Sequence, residues 1–326
     1  MIKNNIKKVG RGLTNMSSRS ATRGYSFEFM NIIKANERFN CKIPDKTKKW
    51  CHSKGQKKFN ALEENEKNEM VRASEALMDF IEGYEDWIDE TVYIERVSSQ
   101  GGSTDVRDIR FIKKEKDNTI QLEVGISLKS NNDAVKHQRI SPNIDIGKEW
   151  LGFAADDEYI NNINNFFNNF SSYCQRNNIN KFKELDDKSK LLYEPLCTEV
   201  ANYLDRAFAG ENGVEAMRNF ITYLIGSRDF YKAQANFNEG ELIIRSFNFR
   251  DQIGTGDLLE LPTKCYESIP KKSSRGNVNR VFLAFNNGWE TEMRLHNAES
   301  KITNSLKFDT RLVGIPHNAW QTRINF

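Results

Sequence analysis

The chain has 326 residues, with 48 Lys+Arg against 45 Asp+Glu, 38% hydrophobic and 11% aromatic side chains. Nineteen glycines and six prolines beside 21 Phe, 10 Tyr and 5 Trp exclude a fibrous or wholly disordered chain and leave ample length for a full core. The net charge of +3 hides a polarised distribution: residues 1–58 hold 15 basic and 3 acidic side chains, 62–95 hold 2 and 12, and 96–326 hold 31 and 30.

In chain order, residues 1–60 read as a basic arm, with a short helix around Tyr25–Ile33. Trp50 and Phe59 interleaved among its lysines suit either a solvated arm or one that lies along phosphates. From Leu62, apolar residues Met70, Ala73, Leu77, Ile81, Tyr84 and Ile88 recur at helical steps, and the glutamates among them form a solvated face. A strand meander follows over Thr91–Val97, Asp105–Ile112 and Ile120–Leu128, with Ser98–Ser103 as the first turn. Asn132–Arg139 reads as a helix stopped by Ser141-Pro142, with Asp133 in its first turn and Lys136, His137 and Arg139 clustered beyond. Stripes of Phe and Leu make 146–235 helical, and from 236 the texture returns to strands, interrupted by a basic loop over Pro270–Gly276.

No run approaches the ~20 apolar residues of a membrane helix, and the first residues lack the apolar stretch of a secretory signal. A cytoplasmic protein with no membrane partner is expected. Five widely spaced cysteines without a Cys-x-x-Cys pair speak against a disulfide framework or a thiolate zinc site.

The chemistry-bearing stretch is the third strand. Alternation puts Leu122, Val124, Ile126 and Leu128 on one face and Glu123, Gly125, Ser127 and Lys129 on the other. With Asp105 and Asp108 on the neighbouring strand, this is either an exposed face with ordinary ion pairs or a cleft holding carboxylates and a lysine. The cleft reading suits metal-assisted phosphodiester hydrolysis, in which carboxylates hold Mg²⁺ and the lysine stabilises developing charge. Glu123 and Lys129 stand ~20 Å apart along a straight strand, so sharing one site requires a bend, which Gly125 would permit. His137 is open to two readings, general base or phosphate and structural contact.

Asp105-Val106-Arg107-Asp108-Ile109, Glu123 to Lys129 and Asp133 to Ser141 together resemble the nuclease core of the HaeIII-type family of type II restriction endonucleases. Leu224–Lys232, Met293–Ala298 and Ser305–Gly314 fit the same family in its order. The resemblance implies an α/β fold: a PD-(D/E)xK restriction-endonuclease-like core, a central mixed sheet flanked by helices, with a helical middle region and a strand-rich C-terminal lobe. The expected divisions are an arm (1–60), nuclease core (61–145), helical region (146–235) and DNA-recognition region (236–326). It also implies Mg²⁺-dependent double-strand cleavage of DNA at a short palindrome, GGCC, with a cognate DNA methyltransferase as functional partner and a homodimer suited to the palindrome.

Carried onto this chain, the metal ligands are Asp108, with Asp105 competing, and Glu123, because Ser127 stands where the family pattern has an acid. Lys129 is the catalytic lysine, and Ser130-Asn131-Asn132 departs from the histidines expected after it. The Ser127 departure keeps a non-catalytic DNA-binding protein open, and the same core would also suit a structure-specific repair nuclease. Arg294, His296, Asn297 and Lys301, with Lys307, are the candidate base readers, Arg294 first because a guanidinium matches guanine in the major groove. For Arg294 and His296, packing against Trp289 and Phe308 is the competing role. Lys136, His137, Arg139, Arg228 and Lys232 are the remaining DNA contacts. On this reading residues 1–58 supply salt-sensitive attraction, and removing them leaves the cut sequence unchanged.

Overall fold

The computed structural model describes residues 7–97, 105–130 and 134–326. The turn expected at Ser98–Ser103, together with Asn131, Asn132 and Asp133, lies outside the described residues. Two sheets organise a mixed α/β chain. Sheet A has the order β1(Tyr93–Arg96), β2(Ile109–Lys114), β3(Ile120–Ser130), β5(Phe230–Asn236), β6(Glu241–Phe247), β11(Gln321–Asn325), with β3 and β5 parallel and every other pair antiparallel. Sheet B is wholly antiparallel, in the order β4(Ala134–Ile140), β10(Leu306–Gly314), β9(Glu290–His296), β8(Val278–Phe285), β7(Cys265–Lys272).

Each sheet has its own core. Val124, Ile126 and Leu128 of β3 and Tyr231, Ala233 and Ala235 of β5 pack with α1(Lys7–Phe39) and α4(Glu64–Tyr84). The inward residues of sheet B pack with α5(Asp157–Arg176), α6(Glu194–Ala209) and α7(Gly213–Ile225). β5 falls inside the stretch read as helical. Its Ala and Gln are poor strand formers, but Tyr231, Ala233 and Ala235 alternate inward and fit between β3 and β6. β7 overlaps the expected basic loop over Pro270–Gly276 and is a strand instead; Pro270 is tolerated there because β7 is an edge strand.

Residues 19–60 are not a free arm. α1 buries Phe27, Phe29, Met30, Ile32, Ala35 and Phe39, and short helices α2(Asp45–Trp50) and α3(Gln56–Asn60) follow it. Its positive charge meets the negative charge of α4 directly. Arg23 and Arg19 engage Glu66, Lys34 Nζ lies 2.9 Å from Glu75, and Arg38 reaches Asp79 at 2.7 Å and Glu82 at 2.5 Å. The glutamate face expected to be solvated is therefore in part a helix–helix seam. Trp50 and Phe59 are likewise used internally, Trp50 under the Arg96 guanidinium at 4.3 Å and Phe59 against Phe29.

The expected helix over 132–139 is corrected to strand β4, described from Ala134. Ala134, Gln138 and Ile140 are buried while His137 and Arg139 are exposed, a two-residue period that pairs with β10. Among the described residues, no helix is long and apolar enough to cross a membrane.

Candidate functional site

The ends of β1 and β3 and the start of β2 meet at one corner of sheet A, because the three strands form an antiparallel meander. Asp108 sits at that corner, its backbone N–H donating to Ile126 and its carbonyl accepting from Val97. Its carboxylate accepts from the Leu128 backbone N–H at 2.7 Å and from Ser127 Oγ at 3.5 Å, and Lys129 Nζ lies 3.7 Å away. Asp108 and Lys129 remain about a quarter exposed, whereas Ser127 is buried and contributes a hydroxyl rather than a charge.

A second carboxylate reaches this corner from α1. Glu28 is nearly buried, accepts from Arg96 Nε at 2.6 Å, and has its carboxyl pushed up to about 7 by burial and by the charge of Asp108, against the pull of Arg96 and Lys129. The sequence reading missed Glu28. The available signal was its isolation, one acid between Phe27 and Phe29 in a segment with only three acids.

Glu123 does not join them. Arg228 Nη1 holds it at 2.8 Å, with Arg107 Nη1 at 3.4 Å and Arg110 Nη1 at 3.5 Å. β3 pairs with β5 in unbroken register from Gly125 to Ser130, so the bend that would bring Glu123 to Lys129 is absent there. Gly125 serves a different purpose. A Cβ at that position would lie 1.8 Å from Arg107 Cδ, so the glycine lets the Arg107 side chain cross the strand. Asp105 is also committed to Arg107, accepting from its Nε and Nη2, each at 2.8 Å, and is held below the usual carboxylate range by that guanidinium despite burial.

Among the described residues no group of three or more His, Cys, Asp or Glu could hold a metal ion. Two carboxylates are nonetheless compatible with Mg²⁺, which keeps several waters and takes one or two carboxylates plus substrate phosphate. Beyond burial, the charge of Asp108 raises Glu28, and a cation between the two carboxylates would relieve that repulsion.

The expected DNA contacts separate by strand geometry. His137 and Arg139 lie on the open face of sheet B, but Lys136 points inward over the Tyr223 ring at 4.1 Å, its ammonium lowered by burial. Lys232 is buried on β5, opposite Ser127 and Arg245, and Arg228 is half-exposed beside Glu123. Arg294 and His296 on β9 project from the same open face as His137, with Lys307 between Arg139 and His296 in register. Asn297 is engaged internally: its Oδ1 accepts from Lys188 Nζ and Tyr193 OH, and its Nδ2 donates to the Glu299 carbonyl. Lys301 forms a β-bridge with Lys181 and lines a groove of about 850 Å³ at the C-terminal end of α5.

The family model described as HaeIII restriction endonuclease matches residues 47–316. The type II restriction enzyme HaeIII of Haemophilus aegyptius is 29% identical over 318 residues, covering 92% of this chain and 96% of that protein. No solved structure matches significantly.

Proposed function

Because the chain belongs to the HaeIII restriction endonuclease family and is a type II site-specific deoxyribonuclease acting on double-stranded DNA, we propose that it makes Mg²⁺-dependent double-strand cuts at a short palindrome, GGCC. The observation that carries the site assignment is the corner where Asp108, oriented by the Leu128 N–H, faces Lys129 with Glu28 behind it. We read sheet A with α1 as a PD-(D/E)xK-like core, in which Glu28 supplies the acid that Ser127 lacks.

Asp108 and Glu28 would hold the metal. When bound, Mg²⁺ supplies polarisation of the phosphoryl group and a more acidic water. Lys129 places its ammonium beside Asp108, where it stabilises the charge that develops on the phosphoryl oxygens. Arg96, in contact with Glu28, fixes that carboxylate at the corner. Glu123 and Asp105 act indirectly, ordering Arg107, Arg110 and Arg228 near the site, with Arg228 exposed enough to meet a DNA phosphate. The open face of sheet B, with His137, Arg139, Arg294, His296 and Lys307, is the base-reading surface. A twofold dimer suits a palindromic site.

A plasmid digest tests this. Discrete bands in Mg²⁺ that disappear in EDTA, in Asp108→Asn and in Glu28→Gln are expected, while Lys129→Ala abolishes cutting and retains binding. Full activity in Glu28→Gln with loss in Glu123→Gln would place the second acid at Glu123 instead; bound but uncut DNA in the unaltered protein would mean a scaffold without catalysis.

A further inference from the structure

Sheet B buries one face and opens the other. Along β10, Leu306, Phe308, Thr310 and Leu312 are buried, while Lys307, Asp309, Arg311 and Val313 point the other way and are at least partly exposed. β4 and β9 alternate in step, so His137, Asp309 and Arg294 form one straight cross-strand row, each directly opposite the next. In this row Asp309 is the single carboxylate, and it is shared. Its Oδ1 lies 2.6 Å from His137 Nδ1 and 3.0 Å from His296 Nε2, and its Oδ2 accepts from Arg294 Nη2 at 2.6 Å. These contacts hold the Asp309 carboxyl well below the usual carboxylate range despite its partial burial.

A carboxylate at the centre of a surface that meets a polyanion repels phosphates, so its presence works against nonspecific attraction. What it supplies is order. Arg294 is exposed and long, and without a partner its guanidinium would sample many rotamers; the Asp309 contact takes one of its five N–H groups and leaves four to present as a fork. His137 is likewise oriented through Nδ1, leaving Nε2 for a base edge.

We propose that Asp309 is a positioning residue for base recognition, fixing Arg294 and His137 on the open face of sheet B in the orientation that reads guanine edges in the major groove. This rests on the DNA-cleaving reading above. It predicts an inverse pattern: removing the Asp309 charge weakens binding to the cognate site and leaves binding to other sequences unchanged or tighter, because a repulsive charge has gone.

The test maps the wild-type site by sequencing the ends of plasmid fragments. Affinities are then measured by fluorescence anisotropy in Ca²⁺ for a duplex bearing that site and for one with a single pair changed. Asp309→Asn is expected to lower the ratio of the two affinities at least tenfold. Arg294→Lys, which keeps the charge but loses the fork, lowers it as well, and adding Asp309→Asn to Arg294→Ala changes it less than threefold further. Equal loss for both duplexes, an unchanged ratio in Asp309→Asn, or fully multiplicative effects in the double variant would overturn the inference. A wild type that selects its site alongside an equally selective Asp309→Asn removes this inference and leaves the endonuclease reading intact. A wild type without sequence preference removes both.

Discussion

Phe27→Ala separates a structural first helix from a DNA-tracking arm. Phe27 is 1% exposed and meets Phe237 edge-on at a ring separation of 5.8 Å, between α1 and the β5–β6 turn of sheet A. Truncating a buried Phe to Ala costs about 3–5 kcal/mol, since the lost transfer energy is joined by the cavity left behind. At an unfolding entropy of roughly 2.1 cal/mol/K per residue, a chain of this length shifts by about 1.5 °C per kcal/mol, so the melting temperature should fall by roughly 4–7 °C. The control is Arg38→Gln. Its contacts with Asp79 and Glu82 lie in solvent, where screening leaves ion pairs little to contribute, so its melt should stay close to that of the parent. Both are read by circular dichroism at fixed ionic strength, beside a truncation lacking residues 1–60, which should lose its cooperative transition. A Phe27→Ala protein that melts with the parent, or a truncation that still unfolds cooperatively, would refute the placement of α1 in the core.

Gly125→Ala should displace Arg107 from Asp105 and Glu123 and lower the melting temperature, although alanine is otherwise the better strand residue; relief by Arg107→Ala in the same chain would confirm the clash as the cause. Asn297→Ala should reduce thermal stability by about 1–3 kcal/mol through the partners it leaves unpaired, and a change in the sequence cut would contradict its internal role. Arg139→Ala should reduce the slope of log K against log salt by about 1, as expected for one lost phosphate contact. Lys136→Ala, which removes packing over Tyr223, should leave that slope unchanged.

Much of the architecture was legible locally. The α4 stripe, the β1–β3 meander and the β9 and β10 strands follow from periodicity, because side chains facing a core must repeat with the backbone. Asp108 and Lys129 were also readable, since adjacent strands of a tight meander bring their ends together. Where period and propensity disagreed, the local reading failed. Residues 134–140 carry helix-forming Ala, Lys, Gln and Arg, yet pairing with β10 makes them a strand and sends Lys136 and His137 to opposite faces.

By itself the sequence determined the composition of a folded nuclease-like chain, its segmental charge and the meander that joins Asp108 to Lys129. Tertiary structure decided what those charges are for. Arg19, Arg23, Lys34 and Arg38 of the basic first segment are partners of acids on α4, because both helices lie against sheet A and their charged flanks meet along one seam. The same packing carries Glu28 about eighty residues across the sequence to Asp108, while Glu123, close in sequence, stays with its arginines because an unbent strand keeps it away. Proximity along a strand is set by rise per residue, and proximity between elements by packing; only the first is written in the order of the residues.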